Sequence, residues 1–388
     1  MKIEDMIAKH VREVPPSGIR KFFDIANEMG DAISLGVGEP DFDTPWHIRE
    51  EGIYSLEKGK TVYTANSGLL ELRQEICCYM ERRFALDYSP TNQTLITVGG
   101  SEGIDIALRT LLEKGDEVLI PEPCFVSYKP CVIFAGGVPV AIPTREENQF
   151  KLLPEELEKA ITPRTKILVL PYPNNPTGAI MEREDLQKIA DVLKDKDIIV
   201  ISDEIYAELT YGKEHVSIAN IGNMYERTII LSGFSKAYAM TGWRLGYALG
   251  PTPIIKMMTK MHQFTIMCAP TTSQYAAIEA MRNGDEDIAT MREAYNQRRR
   301  FMVENFRKMG LSCFEPEGAF YVFPSIQMTG LTSEAFCEKL LLDQKVAVVP
   351  GTAFGDSGEG FVRCSYAYSI AELKEALERI ERFVARYQ

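Results

Sequence analysis

The stretch Ile198-Ile-Val-Ile-Ser-Asp-Glu-Ile-Tyr206 restricts the possible folds more than any other part of the chain. A short, unbroken, largely β-branched run suits a strand buried on both faces, as in the middle of a parallel sheet. It also delivers a carboxylate, Asp203, to the strand end, where solvent is limited and a cationic partner is needed. The middle of the chain repeats this pattern, with short β-branched runs alternating with amphipathic stretches of helical period. The expectation is an α/β domain on a mainly parallel central sheet. Strands are predicted at Thr94–Val98, Glu117–Ile120, Lys166–Leu170, Ile198–Ser202, Thr228–Leu231 and Arg244–Leu249. Most end in loops rich in Gly, Pro, Ser or Asn, and open α/β sheets bind ligands beyond the carboxyl ends of their strands.

The last hundred residues read differently. A long charged helix around Asp285–Met309 is followed by short strands near Gly318–Val322 and Phe361–Ser365 and a helix over Ile370–Tyr387, the pattern of a smaller α+β domain. The expected organisation is an N-terminal segment, 1–44, packing on the small domain, a large domain at 45–284 and a small C-terminal domain at 285–388. No internal repeat or low-complexity tract interrupts it.

The 43 basic and 55 acidic side chains give a formal charge of −12, which opposes non-specific attraction to nucleic acid. Any bound anion must then be held by locally placed cations. The eight cysteines are scattered without zinc-finger spacing and are expected to be reduced thiols, with no metal site. The start lacks signal-peptide order and no apolar run is of membrane-spanning length, so a cytoplasmic location and no membrane association are expected.

Several segments carry candidate chemistry. In Ser232-Gly-Phe-Ser-Lys-Ala-Tyr-Ala-Met-Thr-Gly-Trp-Arg-Leu-Gly-Tyr247, Lys236 and Arg244 lie among small and aromatic residues, too apolar a setting for a charged helix face. A partly desolvated amine can form a Schiff base and a guanidinium can grip a phosphate, a combination that suggests pyridoxal phosphate. Thr97-Val-Gly-Gly-Ser-Glu-Gly103 follows a strand and opens a helix, presenting N–H groups to an anion, although it also reads as an ordinary tight turn. In Pro171-Tyr-Pro-Asn-Asn-Pro-Thr-Gly178 a rigid turn presents Asn175, which suits donation to a phenolate oxygen; the same pairs are also common turn formers. Asp203 would pair with a pyridinium N–H and Tyr206 would bond the ring oxygen; equally, the first is a helix cap and the second packs. Arg363, in the apolar strand Gly360-Phe-Val-Arg-Cys-Ser365, either clamps a substrate carboxylate or forms an internal ion pair.

Five ordered motifs then make the chain resemble the class I/II aminotransferases of the fold-type-I pyridoxal-phosphate enzymes. They are Ser34-Leu-Gly-Val-Gly-Glu-Pro-Asp41, Tyr63-Thr64, Asn174-Asn-Pro-Thr-Gly178, Ser202-Asp-Glu-Ile-Tyr206, and Ser235-Lys236 with Gly242-Trp-Arg-Leu-Gly246. The resemblance spans nearly the whole length and is nearest to bacterial and archaeal aspartate, alanine and aromatic aminotransferases. It implies a three-layer large domain with a mainly parallel sheet, and a small domain formed by both termini. It further implies that Lys236 holds the cofactor as a Schiff base and then shuttles the proton between the substrate's α-carbon and the cofactor. Asp203 would bind the pyridinium nitrogen, Asn175 and Tyr206 the ring hydroxyl. Arg244, Ser235 and the Gly100-Ser101-Glu102 turn would bind the phosphate, and Phe125 would stack on the ring. Arg363 and the Gly38 backbone, with Asn175, would hold the substrate carboxylate. Tyr63 would reach the phosphate of a neighbouring subunit, implying a homodimer with shared active sites.

Two positions depart from the family pattern. Ser101 stands where aspartate-specific members carry a lysine for a distal carboxylate, and Gly233 replaces the serine that many relatives place three residues before the Schiff-base lysine. Ser235 or Ser232 would have to supply that phosphate contact. The expected activity is transfer of an amino group from an aromatic or bulky neutral L-amino acid to 2-oxoglutarate by a ping-pong mechanism. The alternatives are a C–S lyase of the same fold, or a broad-specificity aspartate/alanine aminotransferase. The acidic charge, and the lack of a helix-turn-helix pattern before Ile33, weigh against a regulatory module.

Overall fold

The computed structural model describes residues 2–16, 18 and 29–387. The expected N-terminal segment is therefore described only in part. A seven-stranded sheet forms the centre, built from β2 (Thr94–Thr97), β3 (Glu117–Glu122), β4 (Val138–Pro143), β5 (Thr165–Leu170), β6 (Ile199–Asp203), β7 (Thr228–Gly233) and β8 (Gly246–Leu249). Its order is β2-β8-β7-β6-β5-β3-β4. All neighbours are parallel except β8, which runs antiparallel to both β2 and β7.

The apolar strand runs follow from burial on both faces. On β5, Ile167 and Val169 enter one hydrophobic cluster while Leu168 and Leu170 enter another; on β6, Ile201 and Val200 divide in the same way. Successive side chains point to opposite faces, so a strand covered on both sides must be apolar at every position. Helices supply the cover, among them Gly99–Leu111 and Thr252–Thr265 on the face containing Ile167.

All six strands expected in this region form, with bounds shifted by a few residues. The seventh, β4, is not among the expected strands; its run, Val138-Pro-Val-Ala-Ile-Pro143, carries two prolines. It occupies the edge position beside β3, where a missing N–H costs little.

Towards the C-terminus, β9 (Tyr321–Val322), β11 (Val349–Pro350) and β12 (Val362–Ser365) form an antiparallel sheet in the order β11-β12-β9. The helices Asp285–Lys308, Ser333–Gln344 and Ile370–Val384 surround it and share one core cluster with it. β1 (Ile33–Ser34) pairs in parallel with β10 (Val346–Ala347), and Leu35 accepts a hydrogen bond from the Ser365 N–H. Earlier in the chain, the turn of helix at Lys9–Arg12 lies against the helix Tyr128–Phe134 instead. Among the described residues no helix is long and apolar enough to cross a membrane, and all eight thiols are unpaired.

Candidate active site

The carboxyl ends of β3, β5, β6 and β7 open onto a cavity of about 400 Å³. Lys236, Asp203, Tyr206, Asn175, Arg244, Ser235, Gly100, Ser101, Phe125, Arg363 and Gly38 all line it. Residues more than three hundred positions apart thus meet in one volume, of the size that small-molecule sites occupy.

β6 ends at Asp203, which is 9% exposed. Its Oδ2 accepts the Tyr128 hydroxyl at 2.6 Å and its Oδ1 the Ile205 N–H at 3.2 Å. Burial raises its pKa, with Glu204 adding to the rise, and the two hydrogen bonds oppose it. A carboxylate so placed favours a cation in the cavity. One turn on, the Tyr206 hydroxyl lies 2.8 Å from that of Tyr321.

The two adjacent asparagines after β5 have different roles. Asn174 Oδ1 accepts the Thr177 N–H and hydroxyl, closing the turn on itself. Asn175 is thereby presented to the cavity, where its Oδ1 accepts Nη1 of Arg363 at 2.8 Å. Its amide nitrogen has no hydrogen bond among the described residues.

Arg363 is 2% exposed and stacks over Tyr321 and Phe354, at 4.4 and 4.8 Å from the ring centroids. Nη2 donates to the Gly36 carbonyl at 2.6 Å, and Nε is buried without a partner. Among the described residues no carboxylate lies within ion-pair distance of it. A guanidinium buried this way lacks its counter-charge, and a carboxylate in the cavity would supply it.

Lys236 follows β7 and donates through Nζ to the Gly38 carbonyl at 2.5 Å. Desolvation, helped by the charges of Arg363 and Arg244 and opposed by Glu39, brings its ammonium down to about 8. An amine with that pKa is partly uncharged near neutrality, as a nucleophile and base must be.

Arg244 approaches from the other side, held by its Nη1 bond to the Thr241 carbonyl and by a left-handed backbone (φ 53). Gly99, at φ +74, leaves space for it: a Cβ there would come within 2.7 Å of Arg244 Nη2. The helix Gly99–Leu111 begins at that glycine and places Gly100 and Ser101 in the cavity wall beside the guanidinium. Helix N–H groups and a cation converging in this way suit a phosphate.

Two candidates lie elsewhere. The Glu102 carboxylate is engaged by His262 and the Val98 N–H and does not line the cavity. Tyr63 is 79% exposed, next in the chain to the exposed Val62, and away from the cavity wall. Of the two serines, Ser235 lines the cavity, whereas the Ser232 hydroxyl bonds the Glu204 carbonyl. Gly233 has a packing reason: a Cβ there would meet the Gly246 backbone at 2.9 Å, because Gly246 is its direct partner on the antiparallel neighbour β8.

Sequence reasoning missed Tyr128 and Tyr321. Tyr128 follows the carboxyl end of β3, so the sheet-end rule that found Asp203 would have found it too. Tyr321 is remote in sequence from every motif, and only its tertiary contacts, the bond to Tyr206 and the stacking under Arg363, reveal it.

Residues 30–380 match the family described as aminotransferase class I and II. The chain is 45% identical to aromatic-amino-acid aminotransferase 2 of Thermococcus litoralis, covering 97% of each. It is 47% identical to the aspartate aminotransferase of Pyrococcus abyssi, covering 95% of this chain and 96% of that one. Among solved structures, aspartate aminotransferase from Thermus thermophilus with maleate superposes with a TM-score of 0.93 at 39% identity, over 97% of this chain and 99% of that one. The chain belongs to the class I and II aminotransferases, enzymes of fold type I that depend on pyridoxal phosphate.

Proposed function

We propose that this aminotransferase takes an amino group from an aromatic or other bulky neutral L-amino acid and passes it to 2-oxoglutarate, both substrates using one site in turn. The observation that carries the reading is Arg363, a buried guanidinium with a free Nε and, among the described residues, no carboxylate of its own. It clamps the α-carboxylate that donor and acceptor share, with Asn175 and the Gly38 backbone beside it. Pyridoxal phosphate, when bound, supplies the electron sink that makes the α-proton removable.

The residues present fit that cofactor. Asp203 suits its ring nitrogen, Tyr206 and Asn175 its hydroxyl and Phe125 its ring face, while Arg244, Ser235 and the Gly100–Ser101 turn suit its phosphate. Lys236 would anchor it covalently through Nζ, and that amine, once displaced by the substrate's amino group, would move the proton at the substrate's α-carbon. We assign 45–284 to cofactor binding, and 285–388 with the stretch around β1 to a smaller domain. That domain brings Arg363 and Tyr321 to the site and closes over substrate to exclude water.

The preference for neutral donors is supported by the charges in the cavity wall. Lys236, Arg244 and Arg363 are the cations that line it among the described residues, and each already has a role. Ser101 offers a hydroxyl where a further cation would meet a second carboxylate, and Val37, Ile104, Ile205 and Tyr321 add apolar wall. A panel of amino donors with 2-oxoglutarate tests this; turnover of aspartate well above tyrosine and phenylalanine sinks it. Pyruvate released from cystathionine without an oxo acid would instead mark a lyase.

We further infer a cytoplasmic homodimer. Val62, Tyr63, Phe264, Ile266 and Met267 are exposed, and hydrogen bonds join their segments: Thr271 to the Val62 carbonyl and Asn66 to the Met267 carbonyl. An apolar patch of this kind suits a subunit face, from which Tyr63 would reach the neighbouring site. A monomer by light scattering would contradict it.

A further inference from the structure

Behind the glycine turn lies a pair that the mechanism does not use. Glu102 is the fourth residue of the helix Gly99–Leu111, and its carboxylate folds back to the helix start. Oε2 accepts the Val98 N–H at 2.5 Å, and Oε1 lies 2.7 Å from Nδ1 of His262. His262 comes from the helix Thr252–Thr265 and is 0% exposed. Against a carboxylate oxygen, Nδ1 carries the proton. Nε2 is then a bare acceptor, buried without a partner among the described residues. An unsatisfied buried nitrogen costs stability that an apolar side chain would not. The Nδ1 contact is what a histidine offers here in return.

The benefit lies in the electrostatics of the helix start. The first N–H groups of a helix carry partial positive charge and attract any anion within reach. Glu102 is two residues from Gly100, so its carboxylate is the anion nearest in sequence to those donors. An unrestrained carboxylate at that distance would compete with an incoming phosphate. Held by His262 and Val98, it stays out of the cavity wall, while Gly100 and Ser101 remain in it.

We propose that His262 is a positioning residue for the cofactor. It holds Glu102 off the Gly100–Ser101 donors and so keeps the helix start open to the cofactor's phosphate. The proposal rests on reading that turn, with Arg244, as the phosphate site.

The test titrates cofactor-free enzyme with pyridoxal phosphate and, separately, with phosphate-free pyridoxal, following near-visible absorbance. His262→Leu is expected to weaken pyridoxal phosphate about tenfold, the loss of one charge-assisted contact, with pyridoxal unchanged. His262→Asn keeps a donor at the Nδ1 position and should recover most of the loss. Adding Glu102→Gln to His262→Leu removes the competing charge and should recover it too. If His262→Leu does not fold, His262→Gln, a polar side chain whose amide lies beyond the Nδ1 position, replaces it with the same expectation.

Arg244→Ala, run in parallel, tests the phosphate site itself and should erase most of the preference for pyridoxal phosphate over pyridoxal. If Arg244→Ala loses that preference and His262→Leu keeps it, the proposal is wrong and the phosphate reading stands. If Arg244→Ala keeps it, the phosphate reading falls and takes the proposal with it. Equal weakening of both ligands by His262→Leu would mean a purely structural role and overturn the proposal.

Discussion

Two buried arginines, Arg299 and Arg363, show how differently the same side chain is used. Arg299, on the helix Asp285–Lys308, is 8% exposed and has its partners supplied: Glu315, the Asn296 side chain and the Pro316 carbonyl. Arg363 is more deeply buried and, among the described residues, has only neutral acceptors, with Nε left over. Adjacent carboxylates repeat the contrast. Glu204 is buried against Ser202, Ser217 and His215, while Asp203 faces the cavity with one hydroxyl and one N–H. A buried charge whose partners are complete is structural; one left incomplete beside a cavity is reserved for a ligand.

The largest expected effect comes from Lys236→Ala, which should abolish transamination and the near-visible absorbance of the loaded enzyme. A coloured, active variant would remove Lys236 from the mechanism.

Next is the carboxylate pair. Asp203→Ala should lower kcat on the order of 10²–10³-fold, more than it weakens cofactor binding, because the lost charge acts mainly in the transition state. Glu204→Gln should instead cost about 2 kcal/mol of stability by disturbing a satisfied network, with kcat little changed. Equal kinetic loss in both would erase the distinction.

The arginines follow. Arg363→Leu should raise KM for amino acid and oxo acid alike by about 10–100-fold, without loss of thermal stability, since it removes an unpaired buried charge. Arg299→Leu should leave KM alone and cost about 1–2 kcal/mol, a modest figure because Glu315 is half exposed. A stable Arg299→Leu variant with a raised KM would reverse the two assignments.

The smallest effect concerns pH. Burial lowers the Lys236 pKa to about 8, so between there and its ordinary value of 10.5 the unfolded chain binds a proton that the folded one does not. Stability of the cofactor-free enzyme should therefore gain from this group as pH rises through that window, with its penalty fully present below it. The rate of cofactor capture should climb with pH and level off near 8. A capture rate still climbing at pH 10 would mean an unperturbed lysine.

Much of the site was legible because its residues sit where local rules apply. Asp203 and Asn175 close apolar strands, Lys236 follows β7, and Gly99–Ser101 must turn sharply into a helix. Each of these is decided within about ten residues of chain, by strand length, turn chemistry and the cost of burying charge. β4 is the opposite case, since whether its two prolines are tolerated depends on the strand's place in the sheet.

The sequence alone determined the chemical inventory: an amine, a carboxylate, an amide and two guanidiniums in strands and the turns beside them, in the order that marks the aminotransferase family. Only the tertiary structure decided which of these charges are left incomplete. Tyr128 on Asp203, Tyr321 on Tyr206, Gly36 and Asn175 on Arg363 and His262 on Glu102 join residues 75 to 327 positions apart. Such contacts follow from how sheet and helices pack, and no local pattern encodes them, because a hydrogen bond is specified by position in space and not by distance along the chain.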